Sequence, residues 1–113
     1  MTFEKRQEGE ITIIKVKERR IFLKTADEFK KELMDVIDEG ITHMIIDLAE
    51  VSVMNSSGLG VLMLARDKIH GREGKLIICG LHSMMAEIFH RMGFDTFFNI
   101  SHDCESALGD MRK

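Results

Sequence analysis

The stretch that decides the fold is Ile45-Ile46-Asp47-Leu48-Ala49-Glu50-Val51-Ser52-Val53-Met54-Asn55-Ser56-Ser57-Gly58-Leu59-Gly60-Val61-Leu62. It opens inside an apolar run, His43–Leu48, whose consecutive Met44, Ile45 and Ile46 suit a strand buried on both faces. A short loop follows. The spacing then predicts a helix over Ser56–Ile69, nearly continuously apolar from Leu59 to Ala65. A doubly buried strand leading through a loop into a buried helix is the repeating step of an α/β domain.

Working outward, the same step recurs on both sides. Upstream, Thr2–Gln7 and Ile11–Lys17 read as two strands joined by Glu8-Gly9-Glu10, a hairpin. Glu18–Lys24 is ambiguous, mixing Arg19 and Arg20 with Ile21, Phe22 and Leu23. Thr25-x-x-Glu28 has the form of a capping box, and Phe29, Leu33, Val36 and Ile37 follow at helical spacing, with Gly40 as the C-terminal stop. Downstream, Lys75–Cys79 reads as another buried strand. Ser83 is placed to cap a helix with Met85, Ile88, Phe89 and Met92 on one face and Gly93 at its end. Phe97–Ile100 reads as a short strand, and Cys104, Ala107, Leu108 and Met111 form the stripe of a last helix. The expected fold is therefore α/β: a mixed, mostly parallel sheet of four to five strands with an N-terminal antiparallel edge strand, packed by about four helices.

Length and composition narrow the function classes. The 113 residues suit one domain, 1–113, and the chain lacks proline, low-complexity segments and repeats that would mark a boundary. Sixteen Lys and Arg against nineteen Asp and Glu give a formal charge of −3, without the basic stripe of a nucleic-acid binder. No apolar run approaches the roughly 20 residues that span a bilayer, and the opening Thr2–Gly9 is too polar for a signal peptide, so the expectation is a soluble, cytoplasmic protein without direct membrane insertion. Cys79 and Cys104 are too few for a disulfide framework and read as small core residues.

Enzyme and metal readings fare poorly. Gly58-Leu59-Gly60 lacks the third glycine of a dinucleotide loop, since position 63 is Met63, and no Walker-type Gly-Lys-Ser/Thr occurs. Ser56 lacks the preceding glycine of a nucleophile elbow, that position being Met54. Cys79-x-x-His82 with His90, and His102-x-Cys104, have ligand types without a recognised ligand spacing. The expectation is no catalytic residue, no metal and no cofactor. What remains is the helix start. Free amides and the helix dipole would favour a phosphate on Ser56 or Ser57, adding about −1.5 to −2 charge to a neutral surface. The plain alternative makes Ser56 a helix cap and the two glycines packing residues.

Asn55-Ser56-Ser57-Gly58-Leu59-Gly60 resembles the signature of the STAS family, the anti-sigma-factor antagonist type, which usually reads Asp-Ser-Ser-Gly-Leu-Gly. The resemblance extends from about Ile11 to Met111 through Met44–Leu48, Gly74–Cys79, Met92-Gly93-Phe94 and Glu105-Ser106-Ala107-Leu108. It implies a STAS fold and a binding module without catalysis. By that resemblance the unmodified chain captures an anti-sigma factor that is also a serine kinase. Phosphorylation of the first serine of the motif, Ser56, releases the kinase, and a serine phosphatase resets the switch. ATP belongs to the partner. The partner-binding residues so implied are Asn55, Ser56, Ser57, Gly58, Leu59 and Gly60, with Phe22, Met84 and Phe94 around them.

Two positions depart from the family pattern. Asn55 replaces the usual Asp, which removes a negative charge and either eases a phosphate or weakens a basic partner's grip. Many antagonists also carry Gly-x-Leu-Asp after the second strand, where this chain has Arg19-Arg20-Ile21-Phe22. The second function class is thus a STAS module outside any sigma circuit, a subunit of a larger sensing or lipid-transport assembly or a nucleotide-responsive binder.

Overall fold

The computed structural model describes residues 1–113. Strands β1 (Phe3–Glu8) and β2 (Ile11–Val16) form an antiparallel hairpin, turned at Gly9 with φ of +62°. Then come β3 (Arg20–Ile21), α1 (Leu23–Ile37), β4 (His43–Asp47), β5 (Val53–Met54), α2 (Ser56–His70), β6 (Lys75–Cys79) and α3 (Ser83–Arg91). A 3-10 turn at Phe94–Thr96, β7 (Asn99–Ser101) and α4 (Cys104–Met111) complete the chain. The main sheet has the order β1-β2-β4-β6-β7, antiparallel only at β1, while β3 and β5 pair in parallel as a separate two-stranded sheet.

The consecutive apolar residues of β4 follow from coverage on both sheet faces. Register sets Ile14 beside Ile46 and Ile46 beside Ile78. These residues share the larger core with Phe29 and Leu33 of α1, Leu62 and Ala65 of α2 and Phe89 of α3. Ile13, Ile45 and Ile77 point the other way, into a smaller core closed by Ala107 and Met111 of α4. Each such side chain contributes about 1.5–3 kcal/mol on burial, so β4 is anchored from both sides. Cys79 is fully buried in the smaller core; burial pushes its thiol far above the ordinary range, with the Asp47 carboxylate acting in the same direction.

Several local expectations give way to tertiary contacts. Helix α1 starts at Leu23, with Phe22 as an N-cap that makes no side-chain hydrogen bond. The pairing of β3 ends at Ile21 and fixes the helix entry there, so Thr25 and Glu28 fall inside the helix and form no capping box. Helix α3 is entered through His82, not capped by Ser83, because Gly80 at φ +77° turns the chain and the His82 ring donates to the Ala49 carbonyl. Met92 is the C-cap of α3 and half exposed rather than core. The last strand is Asn99–Ser101 instead of Phe97–Ile100. After Gly93 (φ +73°), the chain coils so that Phe94 and Phe98 reach Phe89, with ring centroids 5.7 and 5.9 Å from it. Cys104 is half-buried, packed against the smaller core, and its sulfur accepts from Arg6 Nη2 at 3.8 Å, whereas Cys79 lies fully inside. No helix is long and apolar enough to cross a membrane.

Candidate partner-binding site

The site is built where β4 runs out. Asp47 Oδ1 accepts from the Ala49 N–H at 2.9 Å, which turns the chain away from the sheet, and Leu48 and Val51 bury themselves to hold the loop. Glu50 fixes its outer side. The Lys17 Nζ donates to Glu50 Oε2 at 2.8 Å and Lys15 lies 3.5 Å away. That hydrogen bond holds the Glu50 carboxyl below the usual carboxylate range and raises Lys17 in return.

The loop then enters the β3–β5 pair, whose two-residue strands carry no periodicity of their own. Arg20 stands beside Val53 and Ile21 beside Met54. The Ser52 N–H donates to the Arg19 carbonyl at 2.8 Å, and the Asn55 N–H to the Ile21 carbonyl at 3.2 Å. This small sheet fixes the first turn of α2 against β3. Glycine is favoured at position 58, since a Cβ there would stand 2.9 Å from Ile21 Cγ2 and 3.3 Å from Met54 Cβ and force them to shift. Position 60 is different: a Cβ on Gly60 would meet nothing within 4 Å.

The cap of α2 is Asn55, with extended backbone, not Ser56. Its Oδ1 accepts from the Ser57 N–H at 3.0 Å and from the Gly58 N–H at 3.4 Å, satisfying two of the amides a helix start leaves unpaired. Ser56 is thereby spared any structural duty. It is exposed, and its hydroxyl makes no hydrogen bond within the chain.

The residues expected at the interface divide by depth. Asn55, Ser56 and Gly60 are exposed, Ser57 half-buried. Gly58 and Leu59 are buried, Leu59 to 4%, so they belong to the packing beneath the surface and not to a contact face. Phe22 and Met84 are 45% and 59% exposed and available to a partner. Phe94 is half-buried, packed edge-on to Phe89 and Phe97, and so serves mainly the α3 core.

Two open depressions lie at the start of α2 and along the loop that leads to it. One joins Ser56, Ser57 and Gly60 to Leu23, Asp27 and Lys30 of α1. The other is lined by Arg19, Ala49, Glu50, Ser52, His82, Ser83 and Met84. Leu23, Lys30 and His82 went unrecognised in the sequence, because only the fold brings the starts of α1 and α3 beside that of α2. Both hollows are open, a shape that suits a protein surface better than a small ligand, which prefers an enclosed pocket.

Known proteins share this fold. The STAS domain family pattern matches residues 2–107. The anti-sigma-B factor antagonist of Listeria monocytogenes is 35% identical over 74 residues, 64% of this chain and 64% of that protein. The anti-sigma-F factor antagonist RsfB of Mycobacterium tuberculosis is 29% identical over 92 residues, 81% of this chain and 75% of the other. Among solved structures, an anti-sigma factor antagonist from Mycobacterium paratuberculosis superposes with a TM-score of 0.91 at 21% identity, covering 99% of this chain and 94% of that one. The Bacillus cell fate determinant SpoIIAA, in its phosphorylated form, superposes at 0.73 with 18% identity over 96% and 97%. From residue 2 to residue 107, sequence pattern and architecture coincide, and the chain belongs to the STAS domain family.

Proposed function

We propose that the protein is an anti-sigma-factor antagonist, a binding module without catalysis of its own, switched by phosphorylation of Ser56. Unmodified, it docks an anti-sigma factor that is also a serine kinase, presenting Asn55, Ser56, Gly60, Phe22 and Met84. The kinase supplies ATP. The Ser56 hydroxyl attacks the γ-phosphorus, its proton passes to a base of the kinase, and ADP leaves. The phosphoserine then places about −1.5 to −2 charge at the centre of the docking surface, where a formerly neutral contact is broken. A serine phosphatase restores the hydroxyl by hydrolysis.

The observation that carries this reading is the division of labour between Asn55 and Ser56. Asn55 caps α2, so Ser56 is held at an exposed, capped helix start with a hydroxyl free of any partner within the chain. The names of the Listeria and Mycobacterium tuberculosis relatives support the same role. The test is capture of partners from the native lysate on three baits: wild type, Ser56→Asp and Ser56→Ala. A serine kinase retained by wild type and Ser56→Ala and lost by Ser56→Asp is the expected result. Equal retention on all three overturns the switch and moves the assignment to a STAS subunit of a larger sensing or transport assembly.

A further inference from the structure

The chain has sixteen lysines and arginines. Eleven are engaged. Ion pairs hold nine of them, from Lys5 to Lys113, and Arg72 and Lys75 donate to backbone carbonyls. The side chains of the remaining five, Arg19, Arg20, Lys24, Lys30 and Lys31, make neither an ion pair nor a hydrogen bond, and all five residues are exposed. They fall together between Glu18 and Lys31, around β3 and along the N-terminal turns of α1. Against them on the same segment stand Glu18, Asp27 and Glu28, leaving a local surplus of two positive charges on a chain whose net charge is −3.

Three of these cations lie on the approaches to the switch serine. Arg20 stands beside Val53, two residues before Asn55, and Arg19 lines one hollow while Lys30 lines the other with Ser56. Among them lie Phe22 and Leu23, 45% and 67% exposed. An apolar centre rimmed by unpaired cations is an arrangement that recognises an apolar surface rimmed by carboxylates.

We propose that the partner docks here through an acidic surface, its Asp and Glu side chains meeting Arg19, Arg20 and Lys30 around an apolar contact on Phe22 and Leu23. This deepens the phospho-switch reading above and rests on it. It also gives release a second component. A phosphate of about −1.5 to −2 on Ser56 cancels the local surplus of two, so it repels the acidic partner and masks the cations at once. Charge of this kind acts mainly on the association rate and weakens with salt.

The test uses the kinase retained by the wild-type bait, expressed and purified, with affinity and association rate measured against the full chain. Arg19→Glu with Arg20→Glu should slow association and weaken binding at least tenfold. Lys30→Glu should weaken it severalfold, and Lys113→Glu, at the far terminus, less than twofold. Raising salt from 50 to 500 mM should erase most of the wild-type advantage. Unchanged melting of each variant shows that the fold is intact, as expected for exposed side chains. A kinase that binds Arg19→Glu/Arg20→Glu as tightly as wild type yet is still lost by Ser56→Asp overturns the acidic-surface proposal and leaves the switch standing. A kinase that binds the two serine variants alike, or no retained kinase, overturns both.

Discussion

Alanine at Gly58 and at Gly60, two positions apart on α2, should have opposite effects. At Gly58 the new methyl would lie 2.9 Å from Ile21 Cγ2 and 3.3 Å from both the Ile21 carbonyl oxygen and Met54 Cβ. Carbon atoms prefer about 3.5–4.0 Å. Ile21 is fully buried and its backbone is tied to β5, so it has nowhere to withdraw. Overpacking of this kind costs about 1–3 kcal/mol, against a gain of about 1 kcal/mol from replacing glycine in a helix. The net for Gly58→Ala is a loss of about 1 kcal/mol, or roughly 4–6 °C in melting temperature for a domain near 100 residues. Gly60→Ala has open space and keeps the gain, about 0.5–1 kcal/mol and a rise of a few degrees. Thermal and urea unfolding followed by circular dichroism would read both. If Gly58→Ala melted as high as Gly60→Ala, the β3–β5 pair would not be pressing on α2 and the account of how Ser56 is positioned would be wrong.

Asn55→Ala should cost about 1 kcal/mol through loss of the cap, while Asn55→Asp should melt within a degree or two of wild type and still alter phosphorylation rate or kinase affinity; identical melting of Asn55→Ala and wild type would deny the cap. Gly74→Ala should be the most damaging glycine replacement, because its Cβ would stand 2.1 Å from the Thr42 carbonyl oxygen, a backbone atom fixed at the entry to β4; a loss below 1 kcal/mol in urea unfolding would contradict the close approach. Burial disfavours the charged Glu32, yet the N–H and Oγ1 of Thr2 donate to it and hold its carboxyl below the usual range. Its stabilisation is complete above the unfolded-state value and is lost as pH falls through the lower folded value, so Glu32→Gln should flatten the acid limb of a stability–pH curve below about pH 4.5. An unchanged acid limb would rule that out.

The parallel sheet and its helices were legible because the doubly buried strands at Met44–Ile46 and Leu76–Ile78 carry dense local patterns. What escaped were features set by distant neighbours. Two-residue strands such as β3 and β5 have no periodicity of their own; they exist because Arg19–Ile21 and Val53–Met54 meet in space. The same meeting explains why the apparent capping box at Thr25–Glu28 is overridden: helix entry is dictated by where β3 ends. At the site, the plain alternative that made Ser56 the helix cap gives way to Asn55. Asparagine, aspartate and serine all cap well, and only geometry shows that Asn55 takes the role and frees Ser56. The burial of Gly58 and Leu59 between the exposed Ser56 and Gly60 was hidden for the same reason, since a one-residue step along a helix turns a side chain by 100°.

The most direct measurement of the central claim is the affinity of the captured kinase for two preparations of this chain, unmodified and phosphorylated on Ser56 alone. The unmodified chain should bind tightly and the phosphorylated one at least tenfold more weakly, a loss of about 1.4 kcal/mol or more, with circular dichroism and melting temperature nearly unchanged. Equal affinity for both preparations, or phosphate found by mass spectrometry on Ser57 and never on Ser56, would contradict it.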